Sequence, residues 1–240
     1  MNWVRIFGKL QASLAIMRGK VQPSFSQAGE DQVIRYLIND CLKIPDPTYL
    51  EIGTHHPLYG NNTYYFYSRG CKGVCVEPDV RWAPLIRKYR KRDVFLQAGV
   101  STSKETSATF YIFPTGYSGW NTLEKEEAEN RQAQTNIKFQ EVTVPLVNIN
   151  DIIRDHFPTW PTIISIDVEG LDLDILKSMD FDKYKPEIIC AESITFSTTN
   201  DQSKINDIAA FMLSKGYFVF ADTYVNTIFC KSEAFKTLAS

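Results

Sequence analysis

Short contiguous apolar runs alternate along this chain with stretches in which apolar residues recur every three or four positions. Tyr49–Ile52, Val74–Glu77, Val94–Ala98, Thr162–Val168 and Glu187–Glu192 are too short for helices and read as strands buried on both faces. Helical spacing is clearest over Gln32–Leu42, which puts Val33, Ile34, Leu37, Ile38 and Cys41 on one side. Glu30 and Asp31 fall in its first turn, where the helix dipole favours anions, and Pro45 and Pro47 stop it. Further helices are predicted over Asn62–Arg69, capped by asparagine and closed at Gly70, then Pro84–Arg92, Leu171–Met179 and Lys204–Lys215. Tyr217–Phe220 and Thr227–Lys231 read as a closing hairpin. Repeated strand–helix units imply a mostly parallel sheet with helices on both faces, and the hairpin adds an antiparallel strand.

The middle of the chain breaks this rhythm. Ala108–Phe113 and Val142–Val147 read as strands beside the sheet or at its edge. The polar stretch between them, Pro114–Glu141, carries Glu124, Glu126, Glu127 and Glu129 in a short helix. An insertion of this length is more often functional than idle, so residues 114–141 are expected to form a lid. Tyr117 and Trp120 at its front are suited to stacking on a substrate ring, or to anchoring the loop. The organisation expected is an N-terminal helical extension over 1–25 and a single domain over 26–240.

Composition narrows the class. At 240 residues one large α/β domain is accommodated, and a net charge of −2 gives no reason to expect a nucleic-acid partner. The five cysteines contain no Cys-x-x-Cys pair, and Cys75, Cys190 and Cys230 lie in apolar strands. A reduced, cytoplasmic compartment is expected, without a disulfide framework or a zinc site. No apolar run is long enough to span a membrane. Residues 1–20 mix apolar positions with Arg5, Lys9, Arg18 and Lys20. They do not read as a secretory signal. They fit a helix covering the domain, or a basic amphipathic helix in weak contact with a membrane surface.

Four predicted strands end in acids: Glu51, Glu77, Asp167 with Glu169, and Glu192. Ligands of open parallel sheets bind outside the carboxyl ends of the strands, so these acids are expected to face one crevice. Gly53 follows the first strand and lets backbone approach a ligand closely. The next glycine is Gly60, so the dinucleotide fingerprint G-x-G-x-x-G is absent, which disfavours a nucleotide-dependent oxidoreductase. Glu77 is placed to accept hydrogen bonds from both hydroxyls of a ribose.

Four blocks carry a resemblance: Ser26-Gln-Ala-Gly-Glu-Asp31, Tyr49-Leu-Glu-Ile-Gly-Thr-His-His-Pro57, Asn61-Asn-Thr63 and Ile166-Asp-Val-Glu-Gly-Leu-Asp172. From about Ser26 to Phe229 the sequence resembles FkbM-type methyltransferases. The resemblance implies a class I methyltransferase Rossmann-like fold, its sheet seven-stranded with the last strand antiparallel. It further implies S-adenosylmethionine as cofactor, held by Glu51, Gly53, Thr54, Glu77, Pro78 and Asp167. The activity implied is O-methylation of sugars, glycans or polyketide hydroxyls. In this family the first acid is often aspartate, and here it is Glu51.

An alcohol is a poor nucleophile until a base or a metal takes its proton. Asp167, His55 and Glu169 are the candidate catalytic residues, with Glu192 joining Tyr117 and Trp120 as candidate acceptor contacts. Asp167, Glu169 and Glu192 alternatively form a hard-oxygen set for Mg²⁺ or Mn²⁺. Asp172 and Asp174 read as first-turn helix acids. Arg81, Arg87, Lys88, Arg90, Lys91 and Arg92 read as a solvated basic face, with an anionic acceptor as the alternative. The expected function is methyl transfer to a glycan or small-molecule hydroxyl. The competing reading is a non-catalytic nucleoside-binding domain.

Overall fold

The computed structural model describes residues 11, 13–19, 21–197 and 202–236. Among the described residues ten strands follow in chain order: β1 (Tyr49–Ile52), β2 (Gly73–Val76), β3 (Val94–Leu96), β4 (Gly99–Ser101), β5 (Ser107–Ile112), β6 (Gln140–Asn148), β7 (Ile163–Ile166), β8 (Ile188–Glu192), β9 (Tyr217–Asp222) and β10 (Asn226–Lys231). Seven of them form one sheet in the order β3-β2-β1-β7-β8-β10-β9. Among the described strands of this sheet β10, the last, alone runs against the direction of the other six, as the resemblance implies. The chain leaves β1 toward one edge and resumes at β7 toward the other, so the crevice between β1 and β7 is the topological switch point.

Alternation within the strands builds two apolar layers. Leu50, Ile52, Ile164, Ile166 and Ile189 face the helices Ile149–His156, Asp172–Ser178 and Asn206–Ser214. Tyr49, Ile163, Ile188, Cys190 and Ile228 face the opposite layer, where Ile34, Leu37, Ile38, Tyr65 and Phe66 pack. Side chains one residue apart on a strand take opposite faces. Glu51 therefore shares the face of Tyr49, a fact that decides its role below.

Several predicted elements end early, for physical reasons. The run expected as one strand over Val94–Ala98 divides. β3 stays in the main sheet, while β4 joins β6 in a separate three-stranded sheet ordered β4-β6-β5. Gly99 makes that junction feasible, because a Cβ there would lie 2.9 Å from both Leu123 and Leu146. The helix expected to reach Arg92 spans Ala83–Tyr89, since Arg90 leaves helical geometry and turns inward. The helix Glu30–Tyr36 passes into a π-helical turn over Leu37–Leu42. Glu30 and Asp31 are not simply dipole partners. Both are fully buried: Asp31 accepts from Ser24, Phe25 and Ser26, and Glu30 from Thr223 and Asn226.

Of the expected N-terminal extension, residues 13–17 are helical, while Arg5, Lys9 and Lys20 lie outside the described residues. No described helix is long and apolar enough to cross a membrane.

Candidate active site

At the carboxyl end of β1, Gly53 adopts φ +82, and a Cβ there would fall 1.8 Å from the Asp167 carbonyl oxygen. No other residue lets the loops after β1 and β7 approach so closely. The Asp167 N–H donates to the Ile52 carbonyl at 3.0 Å and fixes the start of the second loop. Around this junction lies a cleft of about 340 Å³, lined by Gly53, His55, Glu77, Pro78, Trp120, Asp167 and Glu169 among others. Ile52, Val76, Val100 and Leu123 supply an apolar wall.

Glu77 stands just past the end of β2. Its Oε2 accepts from the His55 N–H at 2.7 Å and its Oε1 from the Asp79 N–H at 2.8 Å. Those two bonds fix the carboxylate, while burial pushes its pKa up to about 7. Asp167 is also raised, to about 6, chiefly by burial and then by the negative charge of Glu30.

His55 has left-handed backbone geometry, φ 47, and its ring lies 4.3 Å from that of Trp82. Ser118 Oγ lies 2.9 Å from His55 Nε2 and donates its own proton to the Thr115 carbonyl. With the serine proton on the Thr115 carbonyl, Nε2 is the donor toward Ser118. In that arrangement the neutral ring is the Nε2–H tautomer, with its free lone pair on Nδ1. Burial lowers the His55 pKa, which keeps that lone pair available at neutral pH.

Asp167, Glu169 and Glu192 each bring a carboxylate oxygen within 4.8 Å of the other two. Glu169, raised by burial to about 8, meets Arg131 Nη2 at 3.1 Å. Asp172 opens its helix as expected but is buried rather than solvated, and its carboxyl is raised to about 7.

Two residues expected at the cofactor do not line the cleft. Glu51 is turned into the layer below, where Asn61 Nδ2 donates to it at 2.8 Å and Arg90 lies at 3.6 Å. Thr54 is buried, its hydroxyl on the Val76 carbonyl at 3.3 Å. Tyr117 is 42% exposed and its ring lies tilted against Trp120 at 4.6 Å, whereas Trp120 itself reaches the cleft. Glu192 stands in the acid cluster with Asp167 and Glu169 and is not among the residues lining the cleft.

The basic cluster is not one solvated face. Arg90 is fully buried, bonding Asp93, Asn61, Thr63 and the Pro57 carbonyl. Arg81 grips Asp79 and the Phe113 carbonyl. Arg131, Ser118 and Arg90 were the functional candidates hardest to see in sequence. The one available signal is Arg131 standing four residues after Glu127 in a helix rich in glutamate.

The family model for the methyltransferase FkbM domain matches residues 51–219. This chain belongs to the FkbM methyltransferase family. The matched span runs from the second half of β1 through β8 to the first half of β9, and holds the insertion and every residue of the cleft except Gln27. No protein of curated function matches it. Among solved structures, the O-methyltransferase from Bacillus cereus in complex with SAH shares 12% identity over 92% of this chain and 89% of that one, with a TM-score of 0.42. A putative O-methyltransferase from Klebsiella pneumoniae shares 12% over 88% and 83%, TM-score 0.42. The 1,6-didemethyltoxoflavin-N1-methyltransferase of Burkholderia thailandensis shares 10% over 96% and 89%, TM-score 0.40.

Proposed function

We propose that this chain is an S-adenosylmethionine-dependent O-methyltransferase acting on a hydroxyl of a sugar or glycan. In this reading residues 26–240 are one methyltransferase domain and 114–141 its lid. The observation that carries it is the convergence of the Gly53 turn and the Glu77 carboxylate on one half-apolar cleft. The donor set suits the cofactor: a fixed carboxylate for ribose hydroxyls, Asp167 for an ammonium group, and Ile52, Val76, Val100 and Leu123 for the flat base. When bound, that cofactor supplies an electrophilic methyl group.

The chain's own residues have two tasks. One is to hold an acceptor hydroxyl in line, since alignment supplies much of the rate of a displacement. The other is to take its proton, for which His55 Nδ1 and the Asp167 carboxylate are the available bases. His55→Gln keeps a donor for Ser118 and removes the Nδ1 lone pair. It is expected to lower kcat on a glycan acceptor by roughly 10²–10⁴-fold, with S-adenosylhomocysteine affinity little changed. Full activity in that variant would leave Asp167 as the base.

The deciding experiment is calorimetric titration with S-adenosylhomocysteine, with NAD as control. Micromolar binding of the former alone supports the reading. Absence of binding moves the non-catalytic domain to the front.

A further inference from the structure

Three carboxylates gathered within 4.8 Å need positive charge nearby, or one of them must stay protonated. A divalent cation is one solution. The insertion supplies another. Arg131, on the helix Lys125–Thr135, is 2% exposed although most of that helix is polar and solvated. Its Nη1 donates to the Trp120 carbonyl at 2.7 Å, and its Nη2 lies 3.1 Å from Glu169 Oε2 and 3.5 Å from the Glu169 carbonyl. Its guanidinium carbon sits 4.8 Å from the centre of the Phe196 ring. Thr122 Oγ1 donates to the same Glu169 carbonyl at 3.0 Å. Glu169 needs this grip, because its φ of 58 is unfavourable for a residue with a side chain.

Resting on the methyltransferase reading, we propose that Arg131 is a positioning residue. It is a cation built into the insertion that holds Asp167, Glu169 and Glu192 together in place of a divalent metal. It also ties the seating of the insertion to the geometry of the loop after β7. The planar fork matters here. One nitrogen serves the lid backbone and the other the acid cluster, a division that a lysine ammonium cannot reproduce with the same geometry. A half-buried carboxylate stripped of its counter-ion loses its compensation, and a free cation should then take the vacated role.

That replacement is the test, and it uses Mn²⁺ alone, with no cofactor or acceptor. Thermal unfolding and Mn²⁺ calorimetry are run on the full chain and on Arg131→Lys, Arg131→Gln and Arg131→Gln/Glu169→Gln. The wild type and Arg131→Lys are expected to ignore Mn²⁺. Arg131→Gln should melt several degrees lower, recover part of the loss with Mn²⁺, and show a binding event absent from wild type. Adding Glu169→Gln should restore stability and erase the Mn²⁺ effect. If Arg131→Gln does not fold, recovery of a folded double variant supports the proposal, and its failure to fold refutes it. Micromolar Mn²⁺ binding by wild type, lost in Glu192→Gln, overturns it by making the metal resident. So does an Arg131→Gln defect indifferent to both Mn²⁺ and Glu169→Gln, which would make Arg131 a packing residue. Failure of S-adenosylhomocysteine to bind would sink the cofactor reading and leave this comparison standing.

Discussion

At the scale of single residues, Glu77 shows how a site is built against stability. Its ordinary value of 4.5 rises to about 7 because burial disfavours the charged form more than its two backbone bonds favour it. The sign follows. Below pH 4.5 the group is protonated in both states and costs nothing. As pH rises from 4.5 to about 7, the unfolded chain ionises first and stability is lost, up to roughly 3 kcal/mol above pH 7. Glu77→Gln is therefore expected to raise the melting temperature of the free protein at pH 8, with little change near pH 4.5. The same substitution should weaken S-adenosylhomocysteine at least tenfold. A stabilised variant that binds as tightly as wild type would remove Glu77 from the ribose role. Gly53→Ala makes the opposite test. Its Cβ would meet the Asp167 carbonyl at 1.8 Å, so a loss on the order of 3 kcal/mol is expected in chemical denaturation.

At the scale of elements, the loop after β1 is held from beneath by a partner far along the chain. Arg90 ends the helix Ala83–Tyr89 and reaches the Pro57 carbonyl, Asn61 and Thr63, while Glu51 and Asp93 balance its charge. Removing one member of a buried ion cluster leaves the others uncompensated, typically at a cost of 3–5 kcal/mol. Arg90→Met should lose about that much by urea unfolding and should disorder the His55 loop, whereas Arg87→Met on the exposed face should change stability by less than about 0.5 kcal/mol. The insertion is tied differently. Asp79–Asn121, Arg81–Phe113, His55–Ser118 and Arg131–Glu169 are polar contacts over a small apolar cluster of Tyr111, Phe113 and Ala128. Few apolar contacts and many solvent-near bonds mark a unit that opens before the sheet. Amides of residues 115–135 are expected to exchange hydrogen well ahead of those in β1 and β7, and to slow when S-adenosylhomocysteine binds. Equal protection in both regions would deny the insertion its role as a lid.

At the scale of the whole molecule, ligand binding and folding are one balance. A ligand at a hundred times its dissociation constant stabilises the native state by about 2.7 kcal/mol, roughly 5–10 °C for a domain of this size. A melt with S-adenosylhomocysteine should show that shift, and one with NAD should not. The net charge of −2 offers no long-range attraction for a polyanion.

Much of this was legible in the sequence, because it depends on local chemistry. β1 was read to the residue: four contiguous apolar-flanked positions before Gly53 can do little else. The β/α alternation and the closing hairpin followed from the same periodicities, and Glu77, Asp167 and Glu169 lie at strand ends as read. The tertiary structure decided what period and spacing cannot carry. The resemblance implies a cofactor contact for Glu51, yet its face on β1 sends it to Arg90 instead. Arg90 belongs in sequence to a solvated basic face, and nothing there singles out Arg131, since burial of a long cation depends on partners dozens of residues away. Short-range patterns determine elements. Which acid meets which cation is set only when the sheet brings the ends of β1, β2 and β7 together.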